Sequence, residues 1–169
     1  MDGGGIATCI AKEDKHKSLK VFEGNLQFEA LVTRHSQFKT PINIVNLYGQ
    51  VESRSSSDQI KERWAKLQEI LIKIEAKGEL ALIIGDLNAK VGDIIPGNNK
   101  KVSQGGKLIR ELLKSDKYVL VNAKDKCKGG PFTRIDPSDG TKSVLDLCIL
   151  SKELYKYVDS LVIDSKRNV

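Results

Sequence analysis

Leu80-Ala81-Leu82-Ile83-Ile84 is a charge-free apolar run, and Gly85-Asp86-Leu87-Asn88-Ala89 follows it directly. A run of that length bounded by glycine reads as a strand buried on both faces. Gly85 lets the backbone turn sharply at its end, so Asp86 and Asn88 are expected at a strand mouth. Two residues apart in extended chain, a carboxylate and an amide point to the same side. There one can polarise a water and the other can bond a phosphate oxygen. A strand followed by an Asx-type turn accounts for the same residues equally well.

The remaining periodicities alternate between strand and helix. Leu26-Gln27-Phe28-Glu29-Ala30-Leu31-Val32-Thr33 suits a half-buried strand, and the polar residues 35–40 a hairpin connection to the strand at 42–48. In that strand Ile42, Ile44 and Asn46 share one face, Asn43, Val45 and Leu47 the other, and Tyr48 falls at the C-terminal edge. Ser56 and Gln59 have capping-box spacing, so a helix begins there. Its apolar stripe is Ile60, Trp64, Leu67, Leu71 and Ile74, and Gly78 is its stop. Trp64 reads as a core anchor rather than a base-stacking platform.

After a turn-rich loop at 91–99, Gly105-Gly106 precedes a second amphipathic helix carrying Leu108, Ile109, Leu112 and Leu113 and ending near Ser115. Tyr118-Val119-Leu120-Val121-Asn122 reads as a buried strand, and 122–130, with Lys124, Lys126 and Lys128, as a surface loop that is either solvated or in contact with phosphate. Residues 131–135 read as a strand, 136–141 as a turn, and 143–151 as a strand with one carboxylate, Asp146, among apolar neighbours. A charge buried there costs several kcal/mol unless paired, so Asp146 is expected to have a partner. Leu154, Tyr157 and Val158 suggest a short helix and Leu161-Val162-Ile163 a last strand.

Composition narrows the class. With 169 residues, 40% apolar and 30% charged, the chain is expected to be one globular domain over 1–169. Lys and Arg total 28 against 22 acidic residues, a formal charge of +6 that favours polyanions without requiring one. Cys9, Cys127 and Cys148 have no CxxC spacing, so neither a disulfide framework nor a structural zinc site is indicated, and a reduced, intracellular compartment, nuclear or cytoplasmic, is expected. No stretch approaches a membrane span. Gly3-Gly4-Gly5-Ile6 lacks GxGxxG and helical periodicity behind it, so it reads as a lead into a strand. The charge-dense residues 11–18 read as a turn, and His16 and His35 as solvated surface side chains.

Asn43-Ile44-Val45-Asn46-Leu47-Tyr48, Gly85-Asp86-Leu87-Asn88-Ala89, Phe132-Thr133 and Ser143-Val144-Leu145-Asp146 resemble, in order and spacing, the endonuclease/exonuclease/phosphatase superfamily. The chain looks most like the endonuclease domain of non-LTR (LINE-type) retrotransposons. The resemblance implies a four-layer α/β sandwich, two packed β-sheets flanked by helices, and here a partial domain incomplete at both ends. It implies hydrolysis of phosphodiesters with Mg²⁺ or Mn²⁺, and DNA as partner. Asp86, Asn88 and Asp146 would be catalytic, Asp86 orienting water and Asp146 orienting a histidine, while Tyr48 and Asn88 contact the phosphate. Arg134 departs from the aromatic residue that commonly follows the threonine.

Relatives also carry a metal-binding glutamate upstream of these motifs and a closing Ser-Asp-His motif. Neither is matched here, and Glu29 is no substitute by position. The main metal ligand is therefore unassigned, and the chain is expected to be an internal piece, weak or inactive as a nuclease. The alternatives are an inactive domesticated remnant that binds nucleic acid or protein and, less favoured by the spacing, a phosphatase acting on small phosphoesters.

Overall fold

The computed structural model describes residues 16–20, 30–35, 39–49, 51–96 and 100–164. The strand leads at Gly3 and Leu26, Cys9 and the loop tip 97–99 lie outside the described residues. Strands β1 (His16–Lys20), β2 (Ala30–His35) and β3 (Ile42–Leu47) are successive antiparallel neighbours. Helix α1 (Ser57–Ala76) then carries the chain to β4 (Leu80–Asp86), which pairs in parallel with β3. A crossover is what parallel pairing requires.

Helix α2 (Gln104–Lys114) leads on to β5 (Tyr118–Leu120) at the far edge, and β9 (Asp146–Ser151) enters antiparallel between β4 and β5, giving the order β1-β2-β3-β4-β9-β5. Two small pairs complete the described strands. One is β6 (Cys127–Gly129) with β10 (Leu161–Ile163), the other β7 (Arg134–Ile135) with β8 (Lys142–Ser143). The molecule is thus α/β, with several sheets flanked by helices.

Local chemistry explains both helices. At the start of α1, Ser56 Oγ accepts from Gln59 N at 3.2 Å while Gln59 Oε1 accepts from Ser56 N at 2.9 Å, the expected capping box. At its end Gly78 sits at φ 65°, with Gly78 N bonded to Glu75 O and Glu79 N to Ile74 O, a Schellman closure. Leu67, Ile70, Leu71 and Ile74 are buried, each contributing about 2 kcal/mol. They join Val45, Leu47, Ala81, Ile83, Ile109, Leu147 and Ile149 in one core, so both helices cover the same face of the sheet. In α2, Gly105 and Gly106 lie inside the first turn rather than before the helix, and Ser103 is the cap. A Cβ on Gly106 would fall 1.9 Å from Lys90 O, so only glycine lets the helix approach that backbone.

Several expectations are corrected. His16 lies in β1, opposite His35, not in a turn. β4 is buried on one face only: Ala81 and Ile83 are enclosed, Leu82 is half-buried and Ile84 is 38% exposed. β5 stops at Leu120 because a 3-10 turn at Val121–Ala123 follows, from which Asn122 reaches β9. The strand read over 143–151 is two pieces, β8 and β9, and Asp146 begins the second in an exposed rather than a buried position. Lys126 is not a free loop cation: its Nζ donates to Tyr155 O and Val158 O and lies over the Tyr155 ring. The second face of the sheet is covered toward one end by Leu154, Tyr155, Val158 and Leu161, which pack on Cys148, Leu150, Leu80 and Leu82.

Candidate functional site

The site is built where β3, β4 and β9 end or begin together. Asp86 closes β4, and its Cα partner across the antiparallel pair is Asp146, the first residue of β9. Directly opposed residues of this kind have Cβ atoms about 5 Å apart and point the same way. Alternation puts both on the face away from the helices, since Leu80, Leu82, Cys148 and Leu150 share it. Gly49 N donates to Asp86 O at 2.6 Å, extending the β3–β4 ladder. Tyr48 therefore stands beside Asp86 on the same mouth, 45% exposed. Gly85 makes this approach possible: at φ 141°, a Cβ there would lie 2.1 Å from Leu47 O.

Asn88 takes a different posture from the one read in the sequence. It is left-handed, at φ 46°, so the chain is no longer extended between it and Asp86. Its backbone N–H donates to Asp86 Oδ1 at 2.9 Å and its side-chain Nδ2 to Gly49 O at 2.8 Å. The Asx-type turn is thus present, and the amide clips the two strand ends together rather than standing beside the carboxylate.

Burial pushes the Asp86 carboxyl above its ordinary value, the Asn88 N–H opposes this, Asp146 raises it further and Arg134 lowers it. Arg134 is the cation nearest in effect. Thr133, just before it, accepts from Leu145 N and Asp146 N at 3.0 and 3.2 Å and so ties β7 to the start of β9. Asn122 also holds this strand, its Oδ1 accepting from Cys148 N at 2.8 Å and its Nδ2 donating to Asp146 O at 3.1 Å. A groove of about 370 Å³ beside Asp146 is lined by Ile84, Asn122, Thr133, Cys148 and Val162.

The sequence reading did not assign roles to Asn122 and Arg134. Asn122 carries a usable signal, a polar residue ending an apolar run, whereas Arg134 has none, because its proximity to Asp86 arises from strands far apart in sequence.

Two facing carboxylates repel each other, and a divalent cation relieves that repulsion. Among the described residues there is no group of three or more His, Cys, Asp or Glu side chains able to hold a metal. Asp86 and Asp146 are fewer side-chain ligands than a fully protein-caged ion takes.

No family model and no curated protein matches the chain. Solved structures do. They include a 3′-5′ exonuclease from Neisseria meningitidis, 12% identical over 85% of this chain and 60% of that one with a TM-score of 0.61. The catalytic domain of APE2 from Xenopus laevis is 14% identical over 75% and 47%, with a TM-score of 0.57. The endonuclease domain of TRAS1, a telomere-specific non-LTR retrotransposon, is 13% identical over 83% and 69%, with a TM-score of 0.55. The chain spans roughly half the length of most of the structures it matches. With its several sheets flanked by helices, the chain has the mixed α/β fold of these endonuclease/exonuclease/phosphatase structures.

Proposed function

We propose that residues 1–169 form part of a single phosphodiester-hydrolysing domain that acts on DNA, a Mg²⁺-dependent endonuclease of retrotransposon type. The observation that carries this reading is the meeting of Tyr48, Asp86 and Asp146 at one mouth of the sheet, in a fold shared with nucleases. Asp86 and Asp146 would hold the ion with a substrate phosphate, and the ion supplies charge neutralisation at the phosphoryl oxygens. Asp86 orients the attacking water through its carboxylate, which accepts a hydrogen bond from it. The Tyr48 phenol donates to a phosphate oxygen. Asn88 is a positioning residue, fixing Asp86 through its backbone and the Tyr48–Gly49 segment through its side chain.

Plasmid nicking with Mg²⁺, comparing the chain with Asp86→Ala, tests this. Weak nicking that depends on Asp86 is expected of this partial domain, and equal background in both proteins overturns it. A second reading, a module that binds nucleic acid without turnover, draws on one observation: the side-chain donor of Asn88 already serves Gly49. Retention of labelled DNA by both proteins, with no nicking by either, would select it.

A further inference from the structure

The β7–β8 hairpin is tied to the Asp86–Asp146 mouth by hydrogen bonds. Leu145 O accepts from Leu87 N at 2.9 Å, and Thr133 Oγ1 accepts from Leu145 N and Asp146 N, so the segments at 86–87, 145–146 and 133–134 lie side by side. Thr133 N donates to Ser143 O at 3.0 Å and Asp136 N to Thr141 O at 2.8 Å, which closes β7 on β8. Arg134, the first residue of β7, is thereby brought to the mouth by its backbone.

The other charged groups of this hairpin are occupied. Asp136 Oδ1 accepts from Ser138 N and Ser138 Oγ at 3.0 and 2.7 Å, and Asp139 Oδ1 accepts from Thr141 N at 2.8 Å, so both acids serve the turn. Lys142 Nζ lies over the Phe132 ring, 4.7 Å from its centroid. Arg134 is exposed and makes no ion pair or ring contact among the described residues. Its charge is nonetheless felt at Asp86, whose carboxyl burial raises and Arg134 lowers.

We propose that Arg134 is a substrate-binding residue of this site, its guanidinium receiving the phosphodiester seated at the Asp86–Asp146 mouth. The proposal rests on the phosphodiesterase reading above and adds the group that holds the substrate's charge. Two carboxylates match the charge of one divalent ion and leave nothing to offset the single charge of a phosphodiester. A guanidinium supplies that charge, and its parallel N–H donors suit two phosphate oxygens at once. An exposed side chain on a tethered backbone gives up little to do this, since no existing ion pair has to break.

Binding of a short labelled DNA duplex to the full chain, with Mg²⁺ held constant and sodium chloride varied, tests the assignment beside plasmid nicking. Arg134→Gln is expected to weaken binding about fivefold and to lower the slope of log affinity against log salt by about one, the loss of one phosphate contact. Arg134→Lys should keep the slope yet bind more weakly than the parent, because the charge remains and the fork does not. Lys142→Gln, the same charge change on the same hairpin, should move the slope less. Equal effects of Lys142→Gln and Arg134→Gln overturn the proposal in favour of general basic charge. A slope unmoved by Arg134→Gln while Mg²⁺ binds more tightly also overturns it, since the guanidinium then answers the two carboxylates and not the substrate. Asp86-dependent nicking with an unmoved slope would sink the role of Arg134 alone. An Arg134-dependent slope in a chain that nicks no DNA would uphold that role and sink the hydrolytic reading.

Discussion

The two ends of the six-stranded sheet treat carboxylates in opposite ways. At the end where β4 begins, Glu79 takes Arg34 Nε and Nη2 on one oxygen at 2.8 and 2.7 Å and Asn43 Nδ2 on the other at 2.9 Å. Nearby, Glu75 accepts from Tyr118 OH and Lys117 Nζ, both at 2.7 Å. At the end where β4 finishes, Asp86 faces Asp146 and has one backbone N–H for company. The Arg34 bond holds the Glu79 carboxyl below its usual range, while burial lifts that of Asp86. One end is arranged for stability, with both of these acids answered by donors. The other leaves like charges together, a state that favours any cation or proton arriving there.

The largest effect expected from breaking this contrast is on turnover. Asp86→Asn should lower Mg²⁺-dependent nicking by about 100-fold or more. Its thermal midpoint should hold or rise, because the repulsion with Asp146 is gone. A midpoint several degrees lower would mean that Asp86 is a structural group like Glu79.

Glu79→Gln should do the reverse, costing about 2 kcal/mol in urea unfolding at neutral pH with nicking unchanged. The pH dependence follows from the depressed Glu79 pKa. Its contribution is complete above the unfolded-state value of about 4.3 and is lost as pH falls through the lower folded-state value. Parent and variant should therefore converge in acid, and a gap that widened there would contradict the pairing.

Thr133→Val removes the acceptor for Leu145 N and Asp146 N and should cost about 1 kcal/mol, with a larger proportional loss of nicking as the start of β9 loosens. Equal losses at both readouts would show that Thr133 serves stability alone. Ser56→Ala, in the exposed capping box of α1, should cost up to about 1 kcal/mol through its cap and leave nicking untouched.

Much of the fold was legible. The capping box at Ser56, the apolar stripe through Leu67 and Ile74, the stop at Gly78 and the alternation of β3 are short-range patterns, and each element formed where its pattern lay. Arg63 was legible and passed over: it falls between Ile60 and Leu67 on the buried side of α1, where a lone cation is the exception to be explained. Gly106 was misread as preceding its helix because the reason for it, the carbonyl of Lys90, belongs to another segment.

By itself the sequence determined where α1, β3 and β4 lie, and so put Tyr48 and Asp86 at strand ends, because those limits depend on neighbours within a few residues. Only the tertiary structure decided that Asn88 turns back to Gly49, that Asp146 opens β9 at an exposed position instead of lying buried within a longer strand, and that Arg63 is enclosed without a counter-ion. Each of these depends on which backbone lies alongside which, a choice made by packing across tens of residues, and no local pattern of residue types encodes it.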